Sequence, residues 1–246
     1  MKKHFLIGPV ILFLIWYISF KLELVDPFFL PSPTATFEKL AEIVFSGEII
    51  NDLIETLNRV VLAFVIALIP GLPLGLFLGR SEKTYQSFEF IIDFFRSTPA
   101  TALFPLFLLI FGIGDESKIA LAAFTAMLII IFNTAHGVMN ASKSRVLAAK
   151  VMGATKIQIF KWILFWESLP QTFIGLRNAV SLTLVIIIVT EMFIGTNSGL
   201  GRKIIDSQIT YEIPTMYATI LLTGIIGYLL NLIFKLIEKK ILHWKK

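Results

Sequence analysis

Val60–Gly79, VVLAFVIALIPGLPLGLFLG, is a run of twenty residues without one charged side chain. A helix of that length rises about 30 Å, which matches the hydrocarbon thickness of a bilayer. Five further runs are mostly apolar: Phe5–Phe20, Ile91–Phe111, Ile119–Met139, Gly175–Ile194 and Met216–Leu236. Lipid offers no partner to an unpaired backbone N–H or C=O, so runs of this length must be helical. The alternating pattern of a barrel strand is absent. The expectation is an all-α polytopic membrane protein with about six transmembrane helices.

Composition agrees. Hydrophobic residues make up 56% of the 246 and charged residues 16%, against about a quarter charged in an ordinary soluble domain. The net charge of +5 does not point to nucleic acid. Lys and Arg sit between the apolar runs and at the chain ends, instead of forming a stripe on a soluble fold. With no cysteine, disulfides and thiol chemistry are excluded. His4, His136 and His243 have no metal-ligand spacing. No catalytic cluster, metal site or bound cofactor is expected.

The first run follows Met1-Lys2-Lys3-His4 and resembles a signal peptide. No small-x-small cleavage site follows it, so it is expected to stay as a first span, with Trp16 and Tyr17 as an interfacial anchor. With the N-terminus inside, fifteen of the 22 Lys and Arg residues fall on the inner side and six on the outer, while Arg177 opens the fifth span. Both termini are therefore expected in the cytoplasm. The chain divides into residues 1–54, a first span plus an acidic outer loop, and residues 55–240, a core with a cytoplasmic loop at about 140–170. In the outer loop a short helix is expected after Leu30-Pro31-Ser32-Pro33, with Thr34 or Thr36 as cap.

The inner loop, Ser142–Pro170, carries the most information. Helix formers run from Arg145 to Met152, and Gly153 permits a left-handed turn. A second amphipathic stretch follows, with Ile157, Phe160, Trp162, Ile163 and Phe165 apolar. Two short helices hinged at a glycine fit a groove in a partner protein. They also fit an interfacial loop resting on anionic headgroups.

Within the spans, Gly71, Gly75 and Gly79 form a stripe that lets helices approach closely. Pro70 and Pro73 are expected to bend or break their span, and a broken span is tolerated only against protein or water. Pro73, Pro99, Ser181, Thr183 and Glu191 are therefore candidates for lining a path; an ionisable residue such as Glu191 is a functional candidate by default. Asp93 and Arg96, three apart, fit a local ion pair. Asn133 and His136 fit links between helices. The Thr196–Pro214 connection, with Gly199, Gly201 and Arg202, reads as an outer dock or gate, or as a plain connector.

Several of these stretches resemble one family. Ala148-Ala149, followed by Gly153, is similar to the Glu-Ala-Ala-x-x-x-Gly signature of ATP-binding cassette importer permeases, with Leu147 where the signature has glutamate. Phe165-Trp166 stands where that family usually has Leu-Pro, and Leu169-Pro170 follows. Leu30–Pro33, Gly71-Leu-Pro73-Leu-Gly75, Arg96–Pro99 with Pro105 and Phe111–Gly114, and Glu191-Met192 with Ser198–Gly201 resemble the nitrate/sulfonate/taurine branch. The resemblance covers the chain from about Pro31 onward.

The resemblance implies a permease subunit in the cytoplasmic (inner) membrane that is not itself an enzyme. It implies that Leu147, Ala148, Ala149, Gly153, Ala154, Ile157 and Phe160 belong to a loop coupled to a separate ATPase subunit, where ATP binds. It further implies an extracytoplasmic solute-binding protein, a second permease copy, and a small polar or anionic solute such as nitrate, sulfonate or taurine. A thiamine-precursor or riboflavin-type substrate is an alternative within the same machinery, and an ion-coupled secondary transporter is the alternative outside it. No phosphate-binding Gly-x-x-x-x-Gly-Lys-Ser/Thr loop is present in this chain.

Overall fold

The apolar runs become helices, though not all in the form their hydropathy suggests. The computed structural model describes residues 7–193 and 196–243. Expectations placed on Met1, Lys2, Lys3, His4, Phe5, Ile194, Lys245 and Lys246 lie outside the described residues. In chain order the helices are α1 (Ile7–Lys21), α2 (Pro33–Phe45), α3 (Ile50–Leu78), α4 (Glu82–Ser97), α5 (Ala100–Phe111) and α6 (Asp115–Met139). Then come α7 (Lys143–Val151), α8 (Lys156–Ile159), α9 (Phe165–Phe193), α10 (Leu200–Ile209) and α11 (Ile213–Ile241). A wide π-type turn, Phe160–Leu164, joins α8 to α9, so that Lys156–Phe193 is one helical run of 38 residues.

Among the described residues, four helical runs are long and apolar enough to cross a membrane: α3, α6, Lys156–Phe193 and α11. The third expected span, Ile91–Phe111, is not one helix. It is α4 and α5, bent by 96° at Thr98-Pro99. Thr98 has ψ 127° because the ring of Pro99 disfavours helical geometry in the residue before it, and Pro99 itself is extended, with ψ 122°. α1 is a shorter apolar helix of 15 residues. The six runs thus become four continuous helices long enough to cross, one bent pair and one short helix.

The break expected at Pro70 and Pro73 does not occur; α3 runs through both. The reason lies on its glycine face, which is pressed against α6. A Cβ added at Gly71 would sit 3.2 Å from Ile130 Cβ, one at Gly75 would sit 2.7 Å from Thr134 Cβ, and one at Gly79 would sit 2.6 Å from the Ala135 carbonyl oxygen. A seam this close holds the axis, and proline in a membrane helix costs less when neighbours support the freed backbone.

α6 lies at the centre, with α3 on one flank and α9 on the other. The core is built largely from small and β-branched residues: Val60, Ala63 and Ala67 from α3, Ala122, Ala126 and Ile130 from α6, Ala179, Val180 and Ile187 from α9. The α6–α9 seam is as close as the first, since a Cβ on Gly175 would meet Asn133 Cβ at 2.5 Å. Across it the Gln171 amide donates to Asn133 Oδ1 at 3.1 Å. The outward faces of α3 and α11 expose Ile66, Ile69, Phe77, Leu229, Leu232 and Ile233, which fits lipid and not water.

The periphery follows simpler rules. α2 is capped by Ser32, whose Oγ accepts from the Ala35 N–H, with Pro33 at the first helical position; Thr34 and Thr36 are not the cap. α1 buries none of its own residues and is tied in through Trp16. The Trp16 indole donates to the Pro31 carbonyl at 3.1 Å and its ring stacks on Tyr217 at 6.2 Å. Asp93 and Arg96 form the local ion pair at 3.0 Å, and the Arg96 guanidinium also lies 3.6 Å from the centre of the Phe132 ring. The division at residue 54 falls inside α3.

Candidate functional site

Two clusters stand at opposite ends of the bundle, and they are built on different physics. The end that carries the basic loop is called inner below; the other is outer.

At the inner end, α7 and α8 form a knuckle. Ser142 caps α7 by accepting from the Arg145 N–H. The Ser142 N–H donates to Glu167 Oε2 at 2.6 Å, and Arg145 pairs with the same carboxylate at 2.7 Å. Glu167 thus ties the start of α7 to the start of α9. α7 ends at Gly153, with φ +81°, where the Gly153 N–H bonds back to Lys150 O and the Ala154 N–H to Ala149 O. That paired bonding closes a helix through a left-handed residue, a conformation glycine adopts without a Cβ penalty. Thr155 and Gln158 then form a reciprocal cap that starts α8.

The knuckle turns apolar side chains outward. Leu147 is 62% exposed, Val151 82%, Met152 80% and Ile157 75%. A Cβ on Gly153 would meet nothing within 4 Å. Of the expected loop residues, Leu147, Ala148, Gly153 and Ile157 are exposed, Ala154 and Phe160 are half-buried, and Ala149 is buried. The Arg80 guanidinium sits 5.4 Å from the Phe160 ring. Sequence reading missed Val151 and Met152 as surface groups, although an apolar pair just before a hinge glycine was a signal. It also missed the Thr155-x-x-Gln158 cap and the anchoring role of Glu167.

At the outer end residues of α3, α6, α9 and α10 gather in one cluster around Glu191, which is 1% exposed. Its carboxylate accepts from the Thr56 hydroxyl at 2.9 and 3.0 Å, from Arg59 at 2.7 Å and from the Gly201 N–H at 3.0 Å. Arg59 also pairs with Asp115 at 2.9 Å and donates to the Ser198 carbonyl at 3.0 Å. Lys118, fully buried, donates to the Gly114 carbonyl and lies 3.5 Å from Asp115. The start of α10 points its amides into this cluster. The Gly199 N–H donates to Asp52 at 2.7 Å and the Leu200 N–H to Thr56 at 2.9 Å. Orphan amides at a helix start are natural partners for carboxylates. Glycine is needed here for space: a Cβ on Gly199 would meet the Glu191 carboxyl at 2.6 Å, and one on Gly201 would collide with the Ile188 carbonyl oxygen.

The path candidates are dispersed. Pro73 lies on the exposed face of α3 and Pro99 at the α4–α5 bend. Thr183 is buried and bonds back to Ala179 O at 2.8 Å. Ser181 faces the other way, accepting from Asn231 at 2.6 Å beside a cavity of about 330 Å³ between α9 and α11. Glu191 belongs to the outer cluster. The signal for that cluster was weak in sequence: Arg59 stood at the edge of an apolar run and counted only as an outer positive charge.

Long apolar helices with lipid-compatible flanks, close glycine seams and charges gathered at the two ends define a multi-pass helical membrane protein. The chain belongs to the family described as binding-protein-dependent transport system inner membrane component, which matches residues 71–243; it is accordingly an inner-membrane transport permease. It is 28% identical to the putative aliphatic sulfonates transport permease protein SsuC of Bacillus subtilis, over 98% of this chain and 87% of that one. It is 27% identical to the taurine transport system permease protein TauC of Escherichia coli, over 95% and 86%. Its fold is similar to a chain from inward-facing conformations of the MetNI methionine ABC transporter, with a TM-score of 0.68, 22% identity, and coverage of 78% of this chain and 95% of that one.

Proposed function

We propose that this chain forms the translocation path of an ATP-binding cassette importer and is driven by a separate ATPase subunit through the knuckle at Lys143–Leu164. In this reading two copies of the chain pair, both termini are cytoplasmic, and a soluble binding protein delivers the solute at the outer face. The solute is small and polar or anionic, of the sulfonate, taurine or nitrate type; the similarity to SsuC and TauC supports that class. The observation that carries the reading is the outward apolar set Leu147, Val151, Met152 and Ile157, arranged around a glycine joint. Exposed apolar groups clustered on a basic, otherwise polar loop mark a surface that another protein covers. The knuckle is also rigidly joined to the bundle, through Glu167 and through the unbroken helix from Lys156 to Phe193. A push on it moves α9, and α9 packs along α6. Rigid-body transmission of that kind suits alternating access.

The chain has no cysteine, so a single cysteine at Met152 is a unique reporter. In membranes that also contain the ATPase subunit, Met152→Cys is expected to cross-link to that subunit, in a way that changes when ATP is added. A cysteine at Phe45, exposed on the outer helix α2, is the control and should not. Cross-linking from Phe45 and none from Met152 would invert the topology and remove the coupling role.

A further inference from the structure

At the inner end, residues of α9 and α11 line a cavity of about 780 Å³. Its walls carry Arg177, Lys235, Lys239 and His243 against a single carboxylate, Glu238. Arg177 and Glu238 pair at 3.5 Å, and among the described residues no ion pair involves Lys235 or Lys239. The lining is therefore cationic by about two charges after pairing. Its other walls are apolar, from Pro170, Ile174 and Leu242. On the face of α11 that adjoins it, helix periodicity places the exposed Leu232 and Leu236. We propose that this cavity binds the headgroup of an anionic phospholipid of the inner leaflet, with the phosphate held between Lys235, Lys239 and Arg177 and the acyl chains lying along the apolar face of α11.

Three features favour a lipid over a soluble anion. The cavity opens where a helix leaves its apolar span and becomes basic, which is headgroup depth. The cations and the apolar wall are adjacent, matching the two halves of a phospholipid. Lysine stems can lie along the apolar surface while their ammonium groups reach the phosphate. Basic pockets between membrane helices on the cytoplasmic side recognise such headgroups by these means.

The test uses the full chain reconstituted in phosphatidylcholine vesicles that contain a trace of spin-labelled phosphatidylglycerol. Spectra report the fraction of labelled lipid held motionless by protein. The wild type should immobilise phosphatidylglycerol in preference to labelled phosphatidylcholine. Lys235→Gln with Lys239→Gln should weaken that preference about five-fold for each lysine removed. Lys83→Gln with Lys240→Gln removes the same charge from outside the cavity and should leave the preference intact. Equal loss in both pairs would reduce the effect to general surface charge and overturn the site. Unchanged preference in the cavity pair would overturn it as well. Displacement of the lipid by millimolar inorganic phosphate would assign the cavity to a soluble anion and overturn the lipid reading.

Discussion

The outer and inner ends of this bundle handle charge and exposure in opposite ways. At the outer end Arg59, Glu191, Asp115 and Lys118 are drawn together from α3, α9 and α6, and the start of α10 closes over them. Almost every hydrogen-bonding direction of the Glu191 carboxylate is used. At the inner end apolar groups stand exposed around Gly153, and the polar contacts of Ser142, Arg145 and Glu167 serve only to fix the base of the knuckle. The outer cluster pairs its charges within this chain, whereas the knuckle leaves its apolar groups uncovered, and under the proposed function a partner subunit covers them. Mutations at the two ends should therefore separate stability from function.

The largest effect is expected at Glu191. Glu191→Ala leaves the buried Arg59 without its nearest counter-charge, and breaking a buried pair by removing one partner costs about 3–5 kcal/mol. A fall in the midpoint of thermal unfolding in detergent, with loss of protein from the membrane, is the expected outcome. The double change Arg59→Met with Glu191→Leu should be milder than Glu191→Ala alone, because no uncompensated charge remains buried. A double variant worse than the single would mean that the pair holds α10 in place by geometry more than by charge balance.

Gly201→Ala comes next. The added methyl would collide with the Ile188 carbonyl, so α10 must shift away from α9 at a cost of about 1–3 kcal/mol. The same change at Gly224, where nothing lies within 4 Å, should leave the unfolding midpoint unmoved or slightly raised. If Gly201→Ala unfolds no earlier than Gly224→Ala, the outer closure is looser than its contacts imply.

These contrasts bear on what the amino-acid sequence discloses. The spans were legible because burying apolar runs in lipid is a one-dimensional property. The glycine seam was legible for a similar reason: spacing of four on a helix puts Gly71, Gly75 and Gly79 on one face. The bend was not. Pro70, Pro73 and Pro99 look alike in sequence, yet only the last breaks a helix, because α3 is clamped to α6 by close contacts that only the fold reveals. The Glu191 cluster was illegible for the same reason. Its partners lie at 56, 59 and 201 in the chain, and nothing local in either stretch announces the other. The knuckle's hinge was readable at Gly153, since a lone glycine between two helix-forming stretches has few other roles.

Gly153→Val sharpens the comparison from the inner side. Holding a β-branched residue at φ +81° costs about 1–2 kcal/mol, with no steric collision to add. Stability should thus fall modestly, and the protein should remain in the membrane. Import should be lost while the partner ATPase still hydrolyses ATP, measured together in reconstituted vesicles. Normal import with this variant would show that the joint is not what passes on the motion, and would leave the apolar knuckle as a static contact.

The smallest effect is expected at the rim of the outer end, where Lys203 on α10 pairs with Glu48 between α2 and α3. The hydrogen bond from Lys203, and then its charge, hold the Glu48 carboxyl below its ordinary value of 4.5. A depressed carboxylate contributes stability above the unfolded value and loses it as pH falls through the folded one. Glu48 is half exposed, so solvent screening limits the contribution to well under about 1 kcal/mol. Lys203→Ala should therefore lower the unfolding midpoint slightly at pH 7, and the difference from wild type should start to shrink as pH falls below the ordinary carboxylate value and vanish only below the depressed one. It should also shrink in high salt, whereas the loss caused by Glu191→Ala should persist there, because buried pairs are screened far less than exposed ones. Equal salt sensitivity at the two positions would mean that water reaches Glu191, and that the outer cluster is a gate standing ajar and not a sealed joint.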